Sequence, residues 1–196
     1  GIYSNGPDDP AMVLFWGGKK VPPAVGKQIA ALSHMDPLLE SVSSKNPEAA
    51  ACYIVTEPGL TRYYPNDYGV EKLPRTAVFD VRNANWYWRA RPDNNPEKKT
   101  VWTNIYADSI GRGLMTTAST PVFDSQGRFA GAAGVDVTLE TIVSDILEDM
   151  PACHAMPDMF SFLTDDQGRL IAFPPQYLDL FGIRMDTEAL KDATMI

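Results

Sequence analysis

Two histidines and two cysteines are the side chains of this 196-residue sequence best suited to nucleophilic, acid–base or metal chemistry, and their spacing supports none of it. Such chemistry needs a nucleophile beside a base, or several ligands around a metal. His34 falls in a stretch of helical periodicity and His154 between prolines, so both read as surface or packing residues. Cys153 and His154 are adjacent, and adjacent side chains point in different directions, so they do not form a thiol–base pair. Cys52, within the apolar run Ala50 to Val55, reads as a small buried hydrophobe. Neither cysteine stands in a Cys-x-x-Cys or zinc spacing, although a disulfide between them stays open. Gly111-Arg112-Gly113 lacks the lysine and Ser/Thr of a phosphate loop, and Gly131-Ala132-Ala133-Gly134 sits in a strand pattern where glycine permits close backbone approach. Asp165-Asp166-Gln167-Gly168 lacks the late glutamate of a calcium loop and reads as a turn. We therefore expect no catalytic residue, no metal and no cofactor.

Binding chemistry is better supplied. Aromatics concentrate at Trp86-Tyr87-Trp88, with Trp102 and Tyr106 following after a loop. Such residues either fill a core or wall a pocket, and converging polar groups decide between the two. Tyr106 and Asp108 end one candidate strand. Asp136 interrupts an otherwise apolar strand, where a buried carboxylate needs a partner: a protein donor, or a ligand ammonium.

The elements that would position these groups follow from periodicity. Gly1 to Pro23, rich in Gly and Pro around the apolar patch Met12 to Trp16, reads as an irregular or partly docked N-terminal segment. Val25, Ile29, Leu32, Met35, Leu38, Leu39 and Val42 recur at helical spacing up to Asn46-Pro47, with Pro37 predicting a kink or two shorter helices. Ala51 to Thr56 and Leu60 to Tyr64 form a hairpin through Glu57-Pro58-Gly59. Val70 to Asn95 is mixed, and Val101 to Tyr106, Leu114 to Phe123 and Arg128 to Val137 form a meander. Thr138 N-caps an amphipathic stretch over Leu139 to Leu147. Pro-bounded Met150 to Pro157 marks a domain boundary, beyond which Phe160 to Thr164 and Leu170 to Phe173 pair as a second hairpin. The expected units are 1–46 (N-terminal segment and helix), 47–150 and 151–196.

The charge balance, 17 basic against 25 acidic residues for a net charge of -8, with no dense Lys/Arg cluster, argues against nucleic acid. With 44% hydrophobic residues the chain can bury one substantial core or two small ones. No window approaches the ~20 apolar residues of a membrane span and no leader pattern opens the chain, which reads as a soluble piece of a larger protein.

Three segments resemble the double Cache domains, PAS-like extracytoplasmic sensors of chemoreceptors, histidine kinases, cyclases and serine phosphatases. They are Phe79-Asp80-Val81-Arg82-Asn83-Ala84-Asn85-Trp86-Tyr87, Trp102 to Asp108, and Thr117 to Leu139 through Pro121-Val122-Phe123-Asp124 and Gly131-Ala132-Ala133-Gly134-Val135-Asp136. The resemblance implies an α+β fold: a long N-terminal helix, a PAS-like antiparallel sheet module at 47–150 that carries the ligand, and a second, smaller or partial PAS-like module at 151–196. Its amino-acid-binding members carry over Trp86, Tyr87, Tyr106 and Asp136 as ligand residues. The leading aromatic is here Phe79, without a hydroxyl, and the position of the arginine fork holds Ala84. That leaves an amine, an amino acid or a small carboxylate held by another residue such as Arg82 or Arg89. The ligand set expected is Trp86, Tyr87, Tyr106, Asp136, Phe79, Arg82 and Asp108. The function implied is non-enzymatic: an extracytoplasmic sensor, membrane-anchored and homodimeric in the full-length protein, signalling to a cytoplasmic output. The alternative is a ligand-free dimerisation or protein-binding scaffold whose aromatics are core.

Overall fold

Alternating apolar and polar residues predict half-buried strands, and a computed structural model shows them joined into one antiparallel sheet. It describes residues 2–67, 80–108, 112–139, 141–142, 162–164, 168, 170–172 and 180–182. The strands of this sheet are β1 (Tyr3–Ser4), β2 (Met12–Phe15), β3 (Ala49–Thr56), β4 (Leu60–Tyr64), β5 (Val101–Trp102), β6 (Tyr106–Ala107), β7 (Leu114–Phe123) and β8 (Phe129–Thr138). Their order is β1-β2-β4-β3-β8-β7-β5, with β6 also on β7. The hairpin turn at Glu57-Pro58-Gly59 and the turn at Asp124 to Gly127 lie where predicted. In the first, Gly59 takes a positive φ of 89° and its N–H donates to the carbonyl of Thr56.

Helices α1 (Pro23–Leu32) and α2 (Asp36–Lys45) replace one long helix, separated by a 3-10 turn at Ser33–Met35. Pro37 causes the break, because it lies in the first turn of α2, where its missing N–H costs nothing. The pair covers one face of the sheet. Val25 packs with Val13, Phe15 and Leu60 in a first core cluster. Cys52 donates its thiol to the carbonyl of Leu39 in α2 and is free and buried. Arg62 of β4 forks onto the carboxylate of Asp36, pinning the start of α2 to the sheet.

The opposite face carries a short helix, α3 (Asn85–Ala90), which the mixed pattern of Val70 to Asn95 did not mark, and the larger aromatic cluster. The N-terminal segment is partly docked, one of its two expected forms: Met12–Phe15 pairs in register with Leu60–Tyr63 and extends the sheet. One further expectation needs correction. Val101 to Tyr106 is not one strand, because Thr103 uses its side-chain oxygen, not only its backbone, to meet Thr117 and so interrupts the ladder. Thr138 Oγ1 accepts the N–H of Thr141, as its capping role predicts. A second hairpin is present as β9 (Leu163–Thr164) with β10 (Leu170–Ala172). Apart from residues 162, 168 and 180–182, the rest of 151–196, Cys153 and His154 included, lies outside the described residues.

Candidate functional site

Strand parity selects what faces α3. In a strand, residues two apart share a face. Register places Ala51 opposite Asp136, Tyr53 opposite Gly134 and Val55 opposite Ala132, while Thr117 lies opposite Asp136 on the other side. Small residues at Ala51, Ala132 and Gly134 leave the middle of this face open to larger side chains from neighbouring strands. Gly134 shows the constraint directly: a Cβ there would stand 2.4 Å from the ring of Tyr53. The Tyr53 ring therefore lies over Gly134, which carries its hydroxyl to Asp136.

Asp136 is the centre of the arrangement. It is 5% exposed, and its Oδ1 accepts from Tyr53 Oη at 2.7 Å, Thr117 Oγ1 at 2.7 Å and Tyr106 Oη at 3.4 Å. Tyr106 and Thr117 share a further hydrogen bond of 2.6 Å. All of these bonds converge on Oδ1, and none among the described residues goes to Oδ2. Burial pushes the Asp136 carboxyl up to about 6, against the hydrogen bonds from Thr117 and Tyr53 that favour its ionised form. The same burial, with the nearby Asp136 charge, raises Tyr53 and Tyr106 far beyond the ordinary phenol range, so both remain protonated donors.

Aromatic rings surround this centre. Trp86 meets the Tyr53 ring edge-on at 4.8 Å, and Tyr63 stacks on the other side of Tyr53 at 5.3 Å with 10° between planes. Beyond Tyr63 stands Arg112. Its Nη1 donates to Tyr63 Oη at 2.5 Å and to the carbonyl of Ala50 at 3.0 Å, and its Nη2 to Asp67 Oδ2 at 2.6 Å. The backbone N–H of Arg112 donates to Asp108 Oδ2 at 2.9 Å. Asp67, Asp108, Asp136 and Arg112 all lie near enough to bear on the Tyr63 hydroxyl, whose pKa is raised mainly by burial.

Of the residues singled out from the sequence, the structure brings Trp86, Tyr106 and Asp136 together, with Asp108 beside them through Arg112. Tyr87 lies in the same cluster, its ring edge-on to Trp86 at 5.8 Å and packed on Phe129, but its hydroxyl turns away from Asp136 and donates to Glu57 Oε2 at 2.6 Å. Arg82 is likewise committed, forked onto Asp80 and donating to the Glu57 carbonyl at 3.0 Å. Arg89 donates to Asn85 Oδ1 at 2.7 Å. Trp88 and Trp102 are exposed, at 43% and 57%. Phe79 lies outside the described residues. Tyr53, Tyr63, Thr117 and Arg112 are the participants that the sequence did not mark. Alternation was the available signal for two of them: Tyr53 shares parity with Ala51 and Val55, and Thr117 with Met115 and Ser119. Among the described residues, no group of three or more His, Cys, Asp and Glu is arranged to hold a metal. No helix among them is long and apolar enough to cross a membrane.

An eight-stranded antiparallel sheet with α1 and α2 on one face and, on the other, α3 over an aromatic-lined polar cluster has the architecture of a PAS-like sensor module. Residues 35–144, more than half the chain, match the sequence model of the methyl-accepting chemotaxis protein-like first PDC sensor domain, and the chain belongs to that family. It is thus an extracytoplasmic sensor domain of the Cache/PDC type. Its relatives include the methyl-accepting chemotaxis protein McpC of Bacillus subtilis, 27% identical over 148 residues, which are 76% of this chain and 20% of McpC. McpA of Pseudomonas putida is 36% identical over 101 residues, 50% of this chain and 14% of McpA. The chain therefore spans about a fifth or less of either receptor. Among solved structures, the ligand-binding domain of the Pseudomonas aeruginosa amino acid chemoreceptor PctC, in complex with GABA, superposes with a TM-score of 0.53 at 20% identity. That match covers 86% of this chain and 67% of PctC. The ligand-binding domain of PctB from the same organism, in complex with L-Arg, gives 0.51 at 21% identity over 90% of this chain and 54% of that one.

Proposed function

We propose that this domain binds a small metabolite through an ammonium or other hydrogen-bond donor placed on Oδ2 of Asp136, under the rings of Trp86, Tyr53 and Tyr106, and that it catalyses nothing. The observation that carries this reading is the asymmetry of Asp136. A buried carboxylate whose first oxygen is held by hydroxyls and whose second accepts no bond from the described residues is suited to a cationic partner. PctC and PctB, solved with GABA and L-Arg, support an amine-bearing ligand for a domain of this fold.

Within the full-length protein, binding would shift the balance between two arrangements of the domain, and membrane-anchored helices of a homodimer would carry the shift to a cytoplasmic chemotaxis output. Residues 47–150 form the ligand module in this reading, and 151–196 begin a second module nearer the membrane.

A thermal-shift screen of the domain against amino acids, amines, small carboxylates and sugars tests the site. A ligand at 100 times its dissociation constant adds about 2.7 kcal/mol of stability. We expect a hit among ammonium-bearing compounds, lost in Asp136→Asn. A hit that survives this substitution would place the site elsewhere.

A further inference from the structure

Ser119 of β7 is a polar group that the site as described does not use. It is fully buried, and its Oγ has no hydrogen-bond partner among the described residues. A buried hydroxyl without a partner is costly and uncommon in a well-packed fold. Thr117, two residues earlier on the same face, is the opposite case, since its Oγ1 bonds both Asp136 and Tyr106. Register sets the surroundings of Ser119. Its partner on β8 is Gly134, which has no side chain and lies under the Tyr53 ring, and its partner on β5 is Val101. Pro121 follows it on the same face, and α3, which carries Trp86, packs against β7. The hydroxyl therefore stands one step along the sheet from the Asp136–Thr117 pair, about 7 Å away by the rise of a strand. Asp136 and Ser119 are similarly sealed, at 5% and 0% exposed, so a ligand reaches either one by displacing what covers this face.

We infer that Ser119 is a specificity-determining residue, whose hydroxyl bonds an uncharged polar group, a hydroxyl or an amide, carried by the ligand about 5 to 7 Å from its ammonium. This rests on the placement of the ammonium at Asp136. The strand neighbours Gly134, Val101 and Pro121 carry no charge, so a charged group placed here would lose its water without gaining a counter-charge from them. A hydroxyl or amide gives Ser119 the bond it lacks, because serine both donates and accepts. An alkyl arm of the same length leaves the serine as it is in the empty domain.

Isothermal titration with pairs that differ only by a hydroxyl in place of a methyl group tests this. The pairs are 4-amino-1-butanol and pentylamine, 5-amino-1-pentanol and hexylamine, L-homoserine and L-norvaline, and 5-hydroxy-L-norvaline and L-norleucine. For the pair that binds, the wild-type domain should hold the hydroxyl member about 3- to 10-fold tighter, the range expected of one neutral hydrogen bond. Ser119→Ala should erase or invert that ratio by weakening the hydroxyl member alone. It should not lower the melting temperature of the empty domain, because the hydroxyl it removes bonds nothing there. Asp136→Asn should weaken both members and keep their ratio. Equal affinities in the wild-type domain, a ratio that survives Ser119→Ala, or an empty Ser119→Ala domain that melts below wild type would overturn the role of Ser119 and leave Asp136 standing. If Asp136→Asn leaves both affinities intact, or no pair binds, the ammonium site itself is refuted and the inference with it.

Discussion

The clearest physical consequence of the site is that Asp136 should weaken the empty domain at neutral pH. Its carboxyl is raised from 3.8 to about 6, chiefly by burial. A group whose pKa rises on folding favours the folded state while protonated, so its contribution is fully present below about pH 4 and is lost as the pH climbs through about 6. At 1.36 kcal/mol per unit, the ionised carboxylate costs about 3 kcal/mol at pH 8 relative to the neutral acid. Asp136→Asn tests this. The amide keeps an acceptor for Tyr53 and Thr117, and it puts an N–H₂ where Oδ2 stood. Without ligand, the variant should match the wild-type domain at pH 4 and exceed it by up to about 3 kcal/mol at pH 8. For a chain of this size that is about 6 to 12 °C in Tm by scanning calorimetry. Other titrating groups are common to both proteins and largely cancel in the difference. The binding side of the same linkage is a loss of about tenfold in affinity for a cationic ligand between pH 7 and 5, as the carboxylate is protonated. An Asn variant that is less stable than wild type at pH 8, or a stability difference that does not change with pH, would refute the reasoning and make Asp136 a structural acid.

Three substitutions test the surroundings. Gly134→Ala places a Cβ 2.4 Å from the Tyr53 ring, so it should cost about 1 to 3 kcal/mol by chemical denaturation and weaken ligand binding by displacing the Tyr53 hydroxyl from Asp136. Arg62→Ala leaves the largely buried Asp36 carboxylate unpaired at the start of α2 and should cost about 2 to 4 kcal/mol, with ligand affinity per folded molecule unchanged because this pair lies on the opposite face of the sheet. Tyr87→Phe removes the bond to Glu57 and should cost about 1 to 2 kcal/mol while leaving calorimetric ligand affinity intact, whereas a large affinity loss would return Tyr87 to the site.

What the sequence disclosed and what it hid divide along a physical line. Asp136 was legible because it breaks a local rule: an acid in an apolar strand is anomalous whatever the fold around it. Gly131 and Gly134 were legible for a related reason. A Cβ at Gly131 would stand 2.1 Å from the backbone oxygen of Val55, the close approach that a glycine pair in a strand suggests. The Trp86-Tyr87 pair announced itself by density, but density does not give direction. On α3 the two side chains diverge by about 100°, and only Trp86 turns toward Tyr53 while Tyr87 turns to Glu57.

Tyr53, Thr117 and Arg112 break no local rule, since a tyrosine or threonine in a strand and an arginine between glycines are ordinary. Their role appears only when β3 and β8, whose bonded residues Tyr53 and Asp136 are 83 positions apart, come into register. The strand β2 was hidden in the same way, because its partner is not a neighbouring hairpin arm but β4, across two intervening helices and a strand. A residue whose type conflicts with its own segment can therefore be found from one sequence, whereas a residue that acts by meeting a distant one needs the sheet register first. Here the conflict exposed Asp136, whereas Tyr53, Thr117 and Arg112 could be placed around it only once the strands were in register.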